Sequence, residues 1–359
     1  MRKFTGFRNF KIYLIGIFSF LLGCMITINL TPIDKTCRIE NTDREHNMMK
    51  NSKLKDPELV VVILSAPKSA KRRLVLRETW LNLRSSQNVD FKIKHFFAVG
   101  DLGLSKSAKK DLIKEQKKYN DVLILPLYDS YSNLTEKVAK TFHWLNDQYD
   151  YGLAYKFVLK CDDDSFVRLD TLSDEIINVE NTYLKLKELN GVSDYIRVNL
   201  QSNTFDKNSN LSLYWGYFNG NAKIKSTGKW KENNWIFCDR YLPYAVGGGY
   251  VLSKDLITYV AKNIEYLRFY NSEDISVGLW FSSINNILRI HDVRFDTEWA
   301  SRGCLNQHIV THNISERDMK MMYETIINEN QMCSSDSPKR NSYFYNWTAP
   351  PSQCCTKLV

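Results

Sequence analysis

The chain has 359 residues, 43% hydrophobic and 25% charged, and its 49 Lys and Arg outweigh 40 Asp and Glu to leave a formal net charge of +9. That length supports one elaborated domain with a substantial core rather than two small ones. The basic excess lies partly in the N-terminal flank and in Lys106 to Lys118; it builds no nucleic-acid module, and the absence of GxGxxG, GxxxxGKS, HExxH and CxxC patterns argues against dehydrogenase, P-loop, zincin and thioredoxin-like chemistry.

The uncharged run Ile12 to Leu30, rich in Ile, Leu and Phe, is long enough as a helix to approach the roughly 30 Å hydrocarbon layer of a membrane. Arg2, Lys3, Arg8 and Lys11 precede it, whereas Lys35 and Arg38 after it are diluted by Asp34 and Glu40. The expectation is a single-pass signal-anchor, with residues 1–11 cytosolic, 12–30 in the membrane and the remainder lumenal. A cleaved signal peptide is the alternative, although Gly23 and Cys24 offer a weak cleavage pattern. Sequons at Asn133, Asn210, Asn313 and Asn346 agree with a secretory location. Outside the span lie Cys37, Cys161, Cys238, Cys304, Cys333, Cys354 and Cys355, an odd number that leaves one thiol over. The adjacent Cys354 and Cys355 are expected to serve different partners.

Residues 31–57 are polar and aperiodic, as in an extended stem, and 58–359 read as a folded domain with a cysteine-containing C-terminal extension. Leu59 to Leu64 predicts a buried strand and the segment from Ser69 to Trp80 a helix. Ile93 to Val99 and Val122 to Leu127 predict two more strands, separated by a basic helix from Lys106 to Tyr119. In the next helix, Leu134 to Tyr149, the positions Leu134, Val138, Phe142, Leu145 and Tyr149 form one apolar stripe. Asn133 with Glu136 resembles a capping box, which competes with the sequon at the same Asn. A fourth strand, Tyr155 to Lys160, completes an alternation that predicts an α/β fold: a mostly parallel central sheet flanked by helices.

That fourth strand delivers Asp162, Asp163 and Asp164 to the edge where ligands of such sheets gather. Three adjacent carboxylates repel one another and resist burial, unless their oxygens converge on a hard divalent cation whose other ligands come from a diphosphate. A solvated acidic turn is the plain alternative. Gly247, Gly248 and Gly249 lie between aromatic residues in Tyr244 to Tyr250; such a run marks either a flexible loop or a wall where a ligand approaches closely, and Gly248, Gly249, Tyr250 and Glu273 are read as that wall. Trp215, Tyr217, Trp230, Trp235 and Tyr244 offer further flat faces, most of them expected in the core. Glu273 and Asp274 open a predicted buried helix, where carboxylates cap amides or, at a metal site, deprotonate a hydroxyl. An imidazole from His291, His308 or His312 is suited to a manganese shell, and periodicity does not choose among them.

The segments Arg73 to Trp80, Phe97 to Gly100, Lys160 to Asp164, Tyr244 to Tyr250 and Glu273 to Gly278 resemble the ordered motifs of the animal β-1,3-galactosyltransferase and N-acetylglucosaminyltransferase family. The likeness spans nearly all of residues 58 to 333. Cys238 to Tyr244, Arg294 to Glu298, Ser301 to Cys304 and Trp347 to Cys355 are most similar to the branch that builds the glycosaminoglycan linkage region.

The resemblance implies a GT-A fold on a single-pass Golgi membrane anchor. It implies inverting transfer of galactose from UDP-galactose, with Mn2+ or alternatively Mg2+, in β-1,3 linkage to galactosyl-β-1,4-xylose on a proteoglycan core protein. A homo-oligomer or a complex with other linkage-region transferases is the expected assembly. The motifs make Asp164 and His312 the metal ligands, with Asp162 and His291 as second choices. They put Asp162 and Asp163 with Arg73 and Arg77 on the donor side, and Asp274 in the role of catalytic base. The rival readings are an N-acetylglucosaminyl donor, a glycoprotein or glycolipid acceptor, or a non-catalytic lumenal adhesion or chaperone protein. A hydrolase using two carboxylates has little positive support.

Overall fold

A computed structural model describes residues 18–22, 57–188 and 212–357, and Asp56–Val359 forms one compact unit. Among the described residues no helix is long and apolar enough to cross a membrane. Apart from a helical piece at 18–22, the expected span and stem lie outside the described residues, as does Asn210.

The domain is organised by a sheet of seven strands: β1 (Leu59–Leu64), β2 (Ile93–Leu102), β3 (Val122–Tyr128), β4 (Phe157–Asp162), β6 (Ser212–Asn219), β7 (Tyr244–Ser253) and β8 (Ile287–His291), in the spatial order β3-β2-β1-β4-β7-β6-β8. All run in one direction except β7, which is antiparallel to both β4 and β6. The continuous apolar sequence of β1 reflects burial on both faces. Leu59, Val61 and Ile63 enter one core cluster, and Val60, Val62 and Leu64 the other. Each such side chain contributes about 1.5–3 kcal/mol on leaving water.

Helices cover both faces. On the first, α1 (Ala70–Glu78), α2 (Lys106–Tyr119) and α4 (Leu169–Glu188) are joined by α7 (Glu316–Glu329), which adds Met319, Met322 and Ile326 to the core. The second is covered by α3 (Leu134–Asp150), α5 (Lys254–Asn263) and α6 (Glu273–Trp280). The stripe expected in α3 is buried at Val138, Phe142 and Leu145. Its capping box is not formed; Asn133 instead donates to the Tyr128 carbonyl at 2.9 Å. Ser105 caps α2 by accepting from the Ala108 amide, and Asn120 ends it in the left-handed region at φ 53°.

Two features that the sequence left open or did not show matter for the site. The glycine run lies inside β7, not in a loop: Gly249 pairs with Cys161 of β4. A small three-stranded sheet, β5 (Phe166–Val167), β11 (Val310–Thr311) and β9 (Phe295–Asp296) in that order, forms beside the end of β4 and carries the late residues of the chain back to the aspartates, while β10 (Gly303–Cys304) and β12 (Ser337–Pro338) pair separately. Two-residue strands carry too little period-2 pattern to be read from sequence.

Candidate active site

The aspartates emerge where β4 ends. Asp163 donates its backbone N–H to the Leu64 carbonyl, and Ser165 closes the turn onto the Asp162 carbonyl. The antiparallel pairing of Phe166 with Thr311 then sets His312 beside the turn, fixed by its N–H to Asp296 and by Ile314 N–H to Asp164. Imidazole Nε2 lies 3.2 Å from Asp164 Oδ1 and 3.7 Å from Asp162 Oδ2. Ligand atoms of the three residues all fall within 4.8 Å of one another. Two carboxylate oxygens and one imidazole converging in this way fit a manganese or magnesium ion, with room for other ligands from solvent or a diphosphate. Burial alone would raise Asp164, but the bond and charge of His312 hold it below the usual carboxylate range. Burial would lower His312, and Asp164 and Asp162 reverse that and raise it.

Opposite this cluster, the buried Lys160 ties the two halves of the site together. Its ammonium donates to the Gly247 carbonyl at 2.6 Å, to Asp162 Oδ1 at 3.1 Å and to Glu273. Glu273 is also held by the Tyr250 hydroxyl at 3.0 Å. Its neighbour Asp274 accepts from the Gly247 N–H at 3.1 Å and from the Ile275 N–H at 2.9 Å in the first turn of α6, where a carboxylate meets unpaired amides. Burial pushes Glu273 up to about 7 despite Lys160, with help from the charges of Asp274 and Asp162. Asp274 is likewise raised by burial, against Lys160 and its two amide donors. One pocket of about 330 Å³ is lined by Asp162, Asp164 and His312 together with Gly248, Glu273 and Asp274. A cation cluster and a carboxylate of raised basicity thus face one cavity, an arrangement suited to neutralising a departing diphosphate while accepting a proton.

A model of the galactosyltransferase family matches residues 71–292. The chain belongs to the galactosyltransferase family. The matched range contains the aspartates, Glu273 and Asp274. A relative named Beta-1,3-galactosyltransferase 6 from Mus musculus is 41% identical over 300 residues, covering 83% of this chain and 82% of its own. Hydroxyproline O-galactosyltransferase GALT6 of Arabidopsis thaliana is 27% identical over 274 residues, which cover 75% of this chain but 35% of that protein. UDP-GalNAc:beta-1,3-N-acetylgalactosaminyltransferase 2 of Homo sapiens is 28% identical over 174 residues, or 48% of this chain and 28% of its own. Among solved structures, Staphylococcus aureus TarS resembles 66% of this chain and 58% of its own at TM-score 0.33 and 10% identity. The family assignment rests on the sequence matches.

The remaining residues singled out in this galactosyltransferase divide by location. Asp163 turns away from the cation cluster and accepts from Ser65 Oγ at 2.8 Å, with Arg72 at 3.7 Å. Arg73 and Arg77, expected on the donor side, have their guanidinium groups paired within the protein, and Arg73 also donates to Ser65 Oγ at 3.0 Å, the hydroxyl that bonds Asp163. Arg73 is wholly buried and forms a two-point pair with Glu115 at 2.9 and 2.6 Å, while Arg77 binds Asp121 and Glu115 and lies over the rings of Phe97 and Tyr119. These guanidinium forks lock α1 to α2 and the start of β3. His291 stands apart from Asp162, Asp164 and His312: its Nδ1 accepts from the Phe218 N–H and its Nε2 meets the Tyr343 carbonyl, and burial lowers it to about 4. Tyr250 is no wall, being fully buried against Tyr214. Gly249 faces Val310, whereas a Cβ at Gly248 would come within 2.7 Å of the His312 side chain and 2.9 Å of the Thr297 carbonyl. Close approach, not dihedral freedom, is what demands glycine there. Thr135 of the Asn133 sequon is buried and donates to Tyr270, Asn313 adjoins His312 at φ 62°, and Asn346 accepts from the Thr348 of its own sequon.

Cys304 is bonded to Cys333, and Cys354 to Cys355, so these two neighbours pair with each other rather than with separate partners. Among the described residues Cys161 and Cys238 have no disulfide partner. Lys160, Gly247 and Tyr131 were not assigned site roles from sequence. A lysine two residues before the first Asp of the triplet is the one local signal, since alternation in β4 puts the two on the same face.

Proposed function

We propose that this galactosyltransferase moves galactose from UDP-galactose, with inversion, onto the C3 hydroxyl of a terminal β-galactosyl residue, and that its acceptor is the galactosyl-β-1,4-xylosyl linker of proteoglycan core proteins. The observation that carries the reading is the shared pocket in which Asp162, Asp164 and His312 face Asp274 within a member of this family. The mouse relative's name supports the β-1,3 linkage, and the likeness of Trp347 to Cys355 to linkage-region enzymes supports the acceptor. A single-pass Golgi anchor at Ile12 to Leu30, a GT-A fold and glycans at the sequons belong to the same proposal.

In this mechanism Asp164 and His312, with Asp162, would hold manganese, which when bound would supply positive charge to neutralise the UDP diphosphate. Asp274 accepts the proton of the acceptor C3 hydroxyl as that oxygen attacks galactose C1. The bond from C1 to the phosphate oxygen breaks, UDP leaves from the opposite face and the donor α linkage becomes β. Glu273 and Lys160 orient the helix end that carries Asp274.

The human relative's name favours testing an N-acetylated donor beside galactose. The experiment is a matrix of UDP-galactose, UDP-N-acetylglucosamine and UDP-N-acetylgalactosamine against galactosyl-xyloside and other β-galactosides, with linkage determined in the product. β-1,3-Galactosylation of galactosyl-xyloside is expected. Exclusive transfer of an N-acetylhexosamine, or indifference to galactosyl-xyloside while other galactosides react, sinks the specificity.

A further inference from the structure

Three aromatic rings at the pocket mouth are left unexplained by the cation cluster and the base. Trp299 follows β9, Trp230 sits in the segment between β6 and β7, and Tyr131 precedes α3. Trp230 and Trp299 meet edge to face, with ring centres 5.5 Å apart and planes at 76°, and Trp230 donates its indole N–H to the Tyr131 hydroxyl. The Lys229 ammonium lies 4.3 Å from the Trp230 ring centre, 4.4 Å from Trp299 and 4.8 Å from Tyr131. Among the described residues no carboxylate comes within ion-pair range of that ammonium. Trp299 is nonetheless 60% exposed and Tyr131 44%.

This grouping differs from a core in that one of its two indoles, Trp299, is presented to solvent. It differs from a stray surface patch in that three separate chain segments are held together around one cation, at a cavity lined by the site carboxylates. The segment is also clipped to the base-bearing helix. Asn271, just before α6, donates its side-chain amide to the carbonyls of Lys229 and Lys231 at 3.0 and 3.3 Å and its backbone N–H to Glu232 at 2.8 Å.

We propose that Trp299, backed by Trp230 and Tyr131 and braced by Lys229, is the acceptor subsite: a platform for the C–H face of a pyranose ring, with the attacking hydroxyl turned toward Asp274. A pyranose has one apolar face and a rim of hydroxyls, and an exposed indole beside an ammonium and a phenol supplies complements to both. The Trp230 segment is attached to α6 through Asn271, while Trp299 follows β9, whose Asp296 carbonyl accepts from the His312 N–H; the platform thus bridges the base-bearing helix and the metal-binding side of one pocket, where an acceptor must lie to meet both. This inference rests on the reading of the protein as a galactosyltransferase acting on a β-galactoside.

Initial rates for Trp299→Ala and Trp230→Phe, with galactosyl-xyloside and UDP-galactose varied separately, test the platform. Loss of ground-state contact predicts an acceptor KM raised roughly tenfold for Trp299→Ala, with kcat and the KM for UDP-galactose within about twofold of the unmodified enzyme. Trp299→Tyr, which keeps a flat ring, is expected to recover most of the acceptor KM. An unchanged acceptor KM in Trp299→Ala, or a rise confined to the donor KM, overturns the inference. Failure of the unmodified enzyme to use any β-galactoside would instead overturn the functional reading on which it rests.

Discussion

Asp274 has both oxygens occupied by backbone amides and a basicity raised by burial, so its contribution to catalysis separates from binding. Asp274→Asn keeps one amide acceptor and is expected to lower kcat by about 10²–10⁴-fold, the usual worth of a general base, while UDP affinity measured calorimetrically stays near that of the parent. Glu273 sets the pH response. With its folded value near 7 against an ordinary 4.5, the folded protein retains a proton that the unfolded chain releases. The associated stability is full below about 4.5 and is lost as pH rises through about 7. Glu273→Gln is therefore expected to flatten the decline in unfolding free energy across that window. Lys160→Met leaves Asp162 and Glu273 without their cation and is expected to cost about 3–5 kcal/mol in denaturant titration. The double variant Lys160→Met with Glu273→Gln should regain part of that stability without regaining transfer. The non-additivity of these two substitutions is itself the measurement that Lys160 and Glu273 act as one unit.

At the scale of elements, the parallel half of the fold was legible because β1 and β3 are short continuous apolar runs and α3 carries a helical apolar stripe, and the strand end at Asp162 followed from the alternation of strands and helices. Other features depended on tertiary context that no window of sequence contains. Tyr244–Ser253 has the composition of a loop at its start, yet three glycines become strand because β7 must pass His312, Thr297 and Val310 at a distance no Cβ permits. Arg73 and Arg77 fit donor-binding arginines by motif, yet Glu115 and Asp121, some forty residues away, claim their guanidinium groups. The preference for His312 over His291 required family resemblance, and the geometry that unites it with Asp164 comes from a two-residue strand. Gly248→Ala tests the packing argument. A Cβ there is expected to cost about 1–3 kcal/mol through overpacking, and by displacing His312 to weaken manganese binding, read by titration calorimetry on the purified domain. Undiminished metal affinity would separate Gly248 from the cation cluster.

Across the whole molecule, residues past the family match do more than extend it. The short strands β13 (Tyr343–Tyr345) and β14 (Cys355–Lys357) pair as a hairpin, and Tyr345 and Cys354 are buried in the same cluster as Phe218 and Ala245 of the main sheet. Trp347 meets Phe218 edge to face, and the Tyr343 hydroxyl donates to the Phe218 carbonyl at 2.5 Å. A chain ending at Ser342 is expected to lose more than about 3 kcal/mol, the scale of removing a large core side chain, seen as a lowered melting temperature even though every motif of the pocket is retained.

Because residues 343–357 are translated after every site residue, a nascent chain can own a complete set of reactive groups and still have an open sheet. The interval between synthesis of His312 and delivery of the hairpin is then a period in which Phe218 and its neighbours are exposed to chaperones. Premature stop codons in this stretch would be read by the cell as folding defects rather than as losses of chemistry.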